Sequence, residues 1–258
     1  VNNNHPLLLK FATKPVIHHY SSPNEADIQW LQRHAAIATA QSNAAMRVEN
    51  SYYQAGLPGT LPDCYGRQAI LLKCQQLVEL IAPTAGVLIF DIFRTIATQA
   101  ELFKIMQASI KKLHPYFSEA QLRAETCKYV APATDNEDTQ LPNHNTGGAI
   151  DLTLFDLVTG EPWDFGTEFD HTSELAHSDF FEGPVEPAYG IDEVRWLLIR
   201  RNRRVLFHLM KQLGFVNYHY EWWHYDLGDC HWANIHGLDW HYASMENDFI
   251  LKKLTAYT

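Results

Sequence analysis

The sequence predicts a single domain of the α+β class, and three observations carry that reading. Its 258 residues, 46% of them hydrophobic, are enough for one large core. Apolar residues recur at helical spacing over 66–81 and again over 192–213. Between those stretches stand VLIFDIF and AIDLTLFDL, apolar or alternating runs of strand length.

Charge excludes some functions. The chain carries 20 basic against 30 acidic residues, a formal net charge of −10, which repels phosphate backbones and anionic membrane surfaces. Nucleic acid is therefore not an expected partner. No apolar run approaches the roughly 18 residues of a membrane helix, so no membrane insertion is expected. Cys64, Cys74, Cys127 and Cys230 are widely spaced, without a CxxC pair, and suggest neither a thiolate metal site nor a disulfide framework. A reducing, cytoplasmic setting is expected, with the periplasm as the alternative if a leader precedes Val1. Oligomeric state leaves no mark in the sequence.

In chain order, residues 1–45 read as an N-terminal extension packed on a domain spanning 46–258. Within the extension, the Ala-rich pattern from Glu25 to Gln41 is compatible with a helix. NSYYQAGLPGTLPDCYG is broken by Gly and Pro into an aromatic loop, whose tyrosines either line a pocket or pin the loop to the core. Ile70, Cys74, Leu77 and Ile81 mark an amphipathic helix ended by Pro83. VLIFDIF then reads as a buried strand with Arg94 just beyond its end. Further helices are expected from about Thr98 to Lys112 and from Ser118, a suitable N-cap, to Cys127.

A polar loop leads to His144, and AIDLTLFDL follows as a half-buried strand with Asp151, Thr153 and Phe155 on one face. Residues 159–189 read as an irregular excursion long enough to suggest function. The long helix from Asp192 to Leu213 places Val194, Leu197, Leu198, Val205, Leu209 and Leu213 on one side, and its IRRNRR run reads as a solvated face. FVNYHYEWWHYDL favours a strand, and Phe249–Leu254 a short helix.

Two stretches carry chemistry. HNTGGAID offers His144 and Asp151 around a glycine bend, and EWWH offers Glu221 and His224. Two histidines and one carboxylate are a hydrolytic zinc inventory, with the fourth position left to water. Such a site lowers the pKa of the bound water towards neutrality, and a carboxylate such as Glu221 then takes the proton as general base. Each residue alone is more readily explained as a surface or hydrogen-bonded group; the combination is not. A regular strand through 221–224 would point Glu221 and His224 to opposite faces, so a bulge or strand end is expected within EWWH. His231, His236 and His241 in the tail are not expected to bind a second metal.

HNTGGAIDLTLFD resembles the HxxGxAxD motif of the D-alanyl-D-alanine dipeptidases, and EWWHYDLG resembles their ExWH motif; FDIFR and GTEFD extend the likeness over roughly residues 50–235. The resemblance implies a zinc dipeptidase fold shared with the D,D-carboxypeptidases and the hedgehog signalling domain: mainly antiparallel sheet, packed helices and the zinc site at the sheet. It implies one zinc per chain held by His144, Asp151 and His224, with Glu221 as base. It further implies Arg94 as the group facing the transition-state oxyanion and Asp170 as the anchor of the substrate ammonium. Pro142 stands where the family usually has a serine, and Thr95 where it often has proline. Both departures fall on the substrate side.

The expected activity is hydrolysis of D-alanyl-D-alanine or a close D,D-dipeptide in a small closed cavity. Carboxypeptidase action on longer peptidoglycan stems and a non-catalytic zinc-containing binding domain are the alternatives.

Overall fold

The computed structural model describes residues 5–25, 28–29, 31, 36–134, 141–239 and 241–246. Its first half contains α1 (Pro6–Ala12), β1 (Ile37–Thr39), β2 (Met46–Val48), α2 (Ser51–Gln54), β3 (Tyr65–Arg67), α3 (Gln68–Ile81), β4 (Ala85–Asp91), α4 (Ile96–Leu113) and α5 (Glu119–Thr126). The second half adds β5 (Ala149–Asp156), α6 (Glu193–Gln212), β6 (Val216–Asn217), β7 (His224–Asp226) and α7 (Cys230–His236). The main sheet has the order β2-β4-β5-β7-β6; β2 lies parallel to β4, and the other neighbours are antiparallel. β1 and β3 form a separate antiparallel pair. The molecule is thus a single α+β domain with a mostly antiparallel sheet.

One face of the sheet supplies the core. Val87 and Ile89 of β4 and Ile150, Leu152 and Leu154 of β5 cluster with Ile70, Leu77 and Ile81 of α3 and with Leu206 and Leu209 of α6. Each fully buried aliphatic side chain contributes roughly 1.5–3 kcal/mol, so this layer fixes the tilt of both helices. Leu8 and Phe11 of α1 enter the same cluster.

Helix ends follow the sequence closely. The Ser118 side chain accepts from Gln121 N, and Gln121 reaches back to the Ser118 amide, forming a capping box. Thr95 caps α4 and Asp192 caps α6 through N–H groups three residues on.

Three expectations change. The stretch 25–41 ends in strand β1, because its last residues pair with β3; parts of its earlier run, and the expected helix at Phe249–Leu254, lie outside the described residues. β5 is buried on both faces, since the 157–190 excursion covers the face opposite α3: its Phe169 stacks on Phe90 at 4.6 Å and meets Trp223 edge-on.

The third concerns α6. Val194 is 80% exposed and Leu197 47%, while Trp196 and Ile199 are buried against Phe181 of the excursion. IRRNRR is not a solvated face either. Arg203 is buried and donates to the carbonyls of Phe165, Leu175 and His177; Arg200 donates to those of Phe181 and Gly183, and Arg204 pairs with Glu182. The run supplies donors to backbone carbonyls of a long irregular segment.

Candidate active site

His144 sits in a single 3-10 turn, Asn143–Thr146, directly before β5. Gly147 ends that turn at φ +70, and a Cβ at this position would collide with Met245 Sδ. Glycine is therefore favoured by the backbone angle, and any larger residue would also have to displace the Met245 side chain. Asp151 lies on β5 opposite His224, the first residue of β7. Cross-strand partners project on the same face, so the register itself brings the two together.

EWWH does contain a strand end. Residues 218–223 form a turn before β7 begins, with Glu221 N bonded to Tyr218 O and His224 N to Glu221 O. The alternation rule does not apply across that turn, and Glu221 Oε2 comes to 3.7 Å from His224 Nδ1.

The three donor atoms converge. His144 Nε2 is 3.1 Å from His224 Nδ1 and 3.3 Å from Asp151 Oδ2, and His224 Nδ1 is 3.0 Å from Asp151 Oδ1. The remaining ring nitrogens are committed as donors. His144 Nδ1 donates to Ile92 O at 2.7 Å and His224 Nε2 to Asp226 Oδ1 at 2.8 Å, and neither acceptor can supply a proton. With those nitrogens donating, two imidazole lone pairs and a carboxylate face one point, an arrangement that can hold a cation at its centre. With both histidines oriented by outer partners, the donor set fits a divalent metal.

Around this point the other charges are arranged by β4. The register slips between Ile89, opposite Leu152, and Asp91, opposite Asp151, which leaves Phe90 as a bulged residue and turns Asp91 towards the site. Asp91 Oδ2 accepts from Arg94 Nε at 2.9 Å. Arg94 also donates to Gln99 Oε1 and to Tyr52 Oη, and its Nη2 is 3.5 Å from Asp151. Tyr52 in turn donates to Asp170 Oδ2 at 2.8 Å. Asp170 is a non-glycine residue at φ +61, a conformation that concentrates at functional positions.

Burial pushes the Asp170 carboxyl up to about 6 and that of Glu221 to about 8; Arg94 opposes the first shift and His224 the second. Glu221 therefore has a proton affinity close to neutrality, as a general base requires.

All six residues singled out from the sequence surround one cavity of about 1010 Å³. That size contradicts the small closed cavity expected for a dipeptide, standing at the upper end of the roughly 300–1,000 Å³ usual for ligand pockets. The extra room lies against α4, α5 and the segment after α5, whose lining includes Leu102, Met106, Arg123 and Tyr129. Sequence reasoning missed Asp91 and Asp226 and left Tyr52 undecided. Asp226 was within reach, because two residues beyond His224 on a strand means the same face; Asp91 was not, because the bulge that turns it has no sequence signal.

The fold and site together define a metallopeptidase. A family model described as peptidase M15, D-ala-D-ala dipeptidase, matches residues 75–243, and the chain belongs to that family. It is 30% identical over 188 residues to a D-alanyl-D-alanine dipeptidase of Synechocystis, covering 66% of this chain and 74% of the relative. It is 35% identical over 119 residues to one from Enterococcus faecalis, 46% and 48% of the two chains, and 39% identical over 92 residues to one from Enterococcus faecium, 36% and 40%. Against both enterococcal relatives the match thus spans about half their length or less. Among the described residues, no helix is long and apolar enough to cross a membrane.

Proposed function

We propose that this chain is a zinc-dependent dipeptidase that hydrolyses D-alanyl-D-alanine or a close D,D-dipeptide. The observation that carries the proposal is the convergence of His144 Nε2, Asp151 and His224 Nδ1 on one point, with the Glu221 carboxylate 3.7 Å from the same His224 nitrogen. His144, Asp151 and His224 would hold the ion. Zinc bound there supplies an acidified water and polarises the scissile carbonyl.

The chain's own groups do the rest. Glu221 takes a proton from the attacking water and returns it to the leaving amine, a contribution of roughly 10²- to 10⁴-fold. Arg94, held by Asp91, Gln99 and Tyr52, faces the negative charge that develops on the carbonyl oxygen, an effect of roughly 3–4 kcal/mol in comparable sites. Asp170, oriented by Tyr52, receives the substrate ammonium. A purely binding domain needs neither a buried base nor a buried arginine.

The cavity supports a second reading, carboxypeptidase action on longer stem peptides, because a peptide of two alanines leaves most of the space unfilled. Hydrolysis of D-Ala-D-Ala, its N-acetyl derivative and a stem pentapeptide by zinc-loaded protein separates the two. The dipeptidase reading expects the free dipeptide to be cleaved at least about tenfold faster, one charged contact at Asp170 being worth roughly 1.5–3 kcal/mol. Preference for the blocked or longer peptides establishes the carboxypeptidase instead.

A further inference from the structure

A second group of ligating side chains lies outside the active site, where three separate segments meet. His18 belongs to the arm after α1, Asp179 to the excursion and His219 to the turn between β6 and β7. One ring nitrogen from each histidine and a carboxylate oxygen of Asp179 all lie within 4.8 Å of one another. The rings of His18 and His219 meet edge-to-face at 5.0 Å, and the His177 ring stands 5.5 Å from that of His219.

The protonation of His18 follows from its neighbour. Asn217 Nδ2 donates to the carbonyls of Glu221 at 3.0 Å and His224 at 2.9 Å, which fixes the orientation of the amide. Asn217 Oδ1 then faces His18 Nε2 at 3.0 Å and can only accept, so Nε2 carries the hydrogen and Nδ1 keeps its lone pair. A histidine locked by an outer hydrogen bond with its other nitrogen free is in the state that metal ligation requires. His219 Nδ1 and Asp179 Oδ1 are 3.7 Å apart, beyond hydrogen-bond range, so that pair does not satisfy itself. All three residues are only partly buried, which leaves access for an ion and for water.

We propose that His18, Asp179 and His219 form a second site for a divalent transition-metal ion, with two imidazoles and a carboxylate of the kind that suits zinc. The site has a structural connection to the catalytic one. Asn217 links His18 to the backbone of Glu221 and His224, and His219 lies in the turn that carries Glu221. An ion bound here ties the N-terminal arm and the excursion to that turn, bracing the proposed base from behind.

Zinc stoichiometry tests this on the full chain, after dialysis against buffered free zinc and elemental analysis. The wild type is expected to hold two equivalents. The His18→Gln/His219→Gln variant should hold one, retained in the active site as evidence of folding, and His144→Gln/His224→Gln should also hold one. Two equivalents persisting without His18 and His219 overturn the second site, as does a single wild-type equivalent that disappears with His144 and His224. A single wild-type equivalent that instead disappears with His18 and His219 upholds the second site and overturns the active-site reading.

Discussion

The metal-facing and substrate-facing halves of the active site are held by different means. His144, Asp151 and His224 sit on or beside two paired strands, so the register of β5 against β7 sets their separation. Asp170 instead rides on the 157–190 excursion, which has only short 3-10 turns of its own and is held in place by the arginines of α6. The first half is specified by backbone pairing, and the second by side chains reaching across from another element. Changes in the excursion can therefore loosen the Asp170 side while the strand register that sets the metal donors stays intact, and Arg94, 3.5 Å from Asp151, is where the two halves meet.

The largest expected effect breaks the metal half. Asp151→Ala removes the only carboxylate of the active-site donor set and leaves two imidazoles facing each other, so the active-site equivalent of metal should be lost and hydrolysis should fall below detection. Elemental analysis alongside a D-alanine release assay checks this, and an active variant that keeps the full wild-type metal content would count against the site.

A smaller effect is expected from Arg203→Met, which touches only the support of the substrate half. Burial pulls the Arg203 guanidinium down to about 9, still charged at neutral pH, and its loss leaves the carbonyls of Phe165, Leu175 and His177 without their donor. Stability should drop by about 3 kcal/mol, and KM should rise more than kcat falls. Urea denaturation and steady-state kinetics measure the two; a change in kcat alone would show that the excursion does not position the substrate.

The smallest effect is a pH dependence. Asp170 must be ionised to hold an ammonium group and its carboxyl is pushed up to about 6, so below that value kcat/KM should gain an extra limb of about tenfold per pH unit on top of the one set by Glu221. Asp170→Asn should abolish this limb. The stability sign runs the other way: with its folded pKa raised, Asp170 contributes most in acid and loses that contribution as the pH rises through about 6. A limb that survives in Asp170→Asn would assign the ammonium to another group.

The same division governs what was legible in the sequence. β5 and the metal donors are readable because strand alternation and ligand chemistry act over a few residues. The starting point of β7 was also foreseeable, since Glu221 and His224 could not otherwise share a site. The buried role of IRRNRR was hidden because the surface it meets is an irregular segment, and helical periodicity says nothing about a partner that lacks periodicity. Val194 and Leu197 were placed on the apolar side for the same reason, whereas Trp196 and Ile199 are the residues that meet the excursion. The width of the cavity depends on where α4 and α5 stand relative to the sheet, a tertiary fact that no local pattern encodes.

In the proposed mechanism Glu221 acts as a base at a metal held by His144, Asp151 and His224. Its most direct test is D-alanine release from D-Ala-D-Ala by wild type and Glu221→Gln at equal active-site zinc content. Full zinc retention is expected with kcat reduced by roughly 10²- to 10⁴-fold; a zinc-loaded Glu221→Gln enzyme turning over at the wild-type rate would contradict that role.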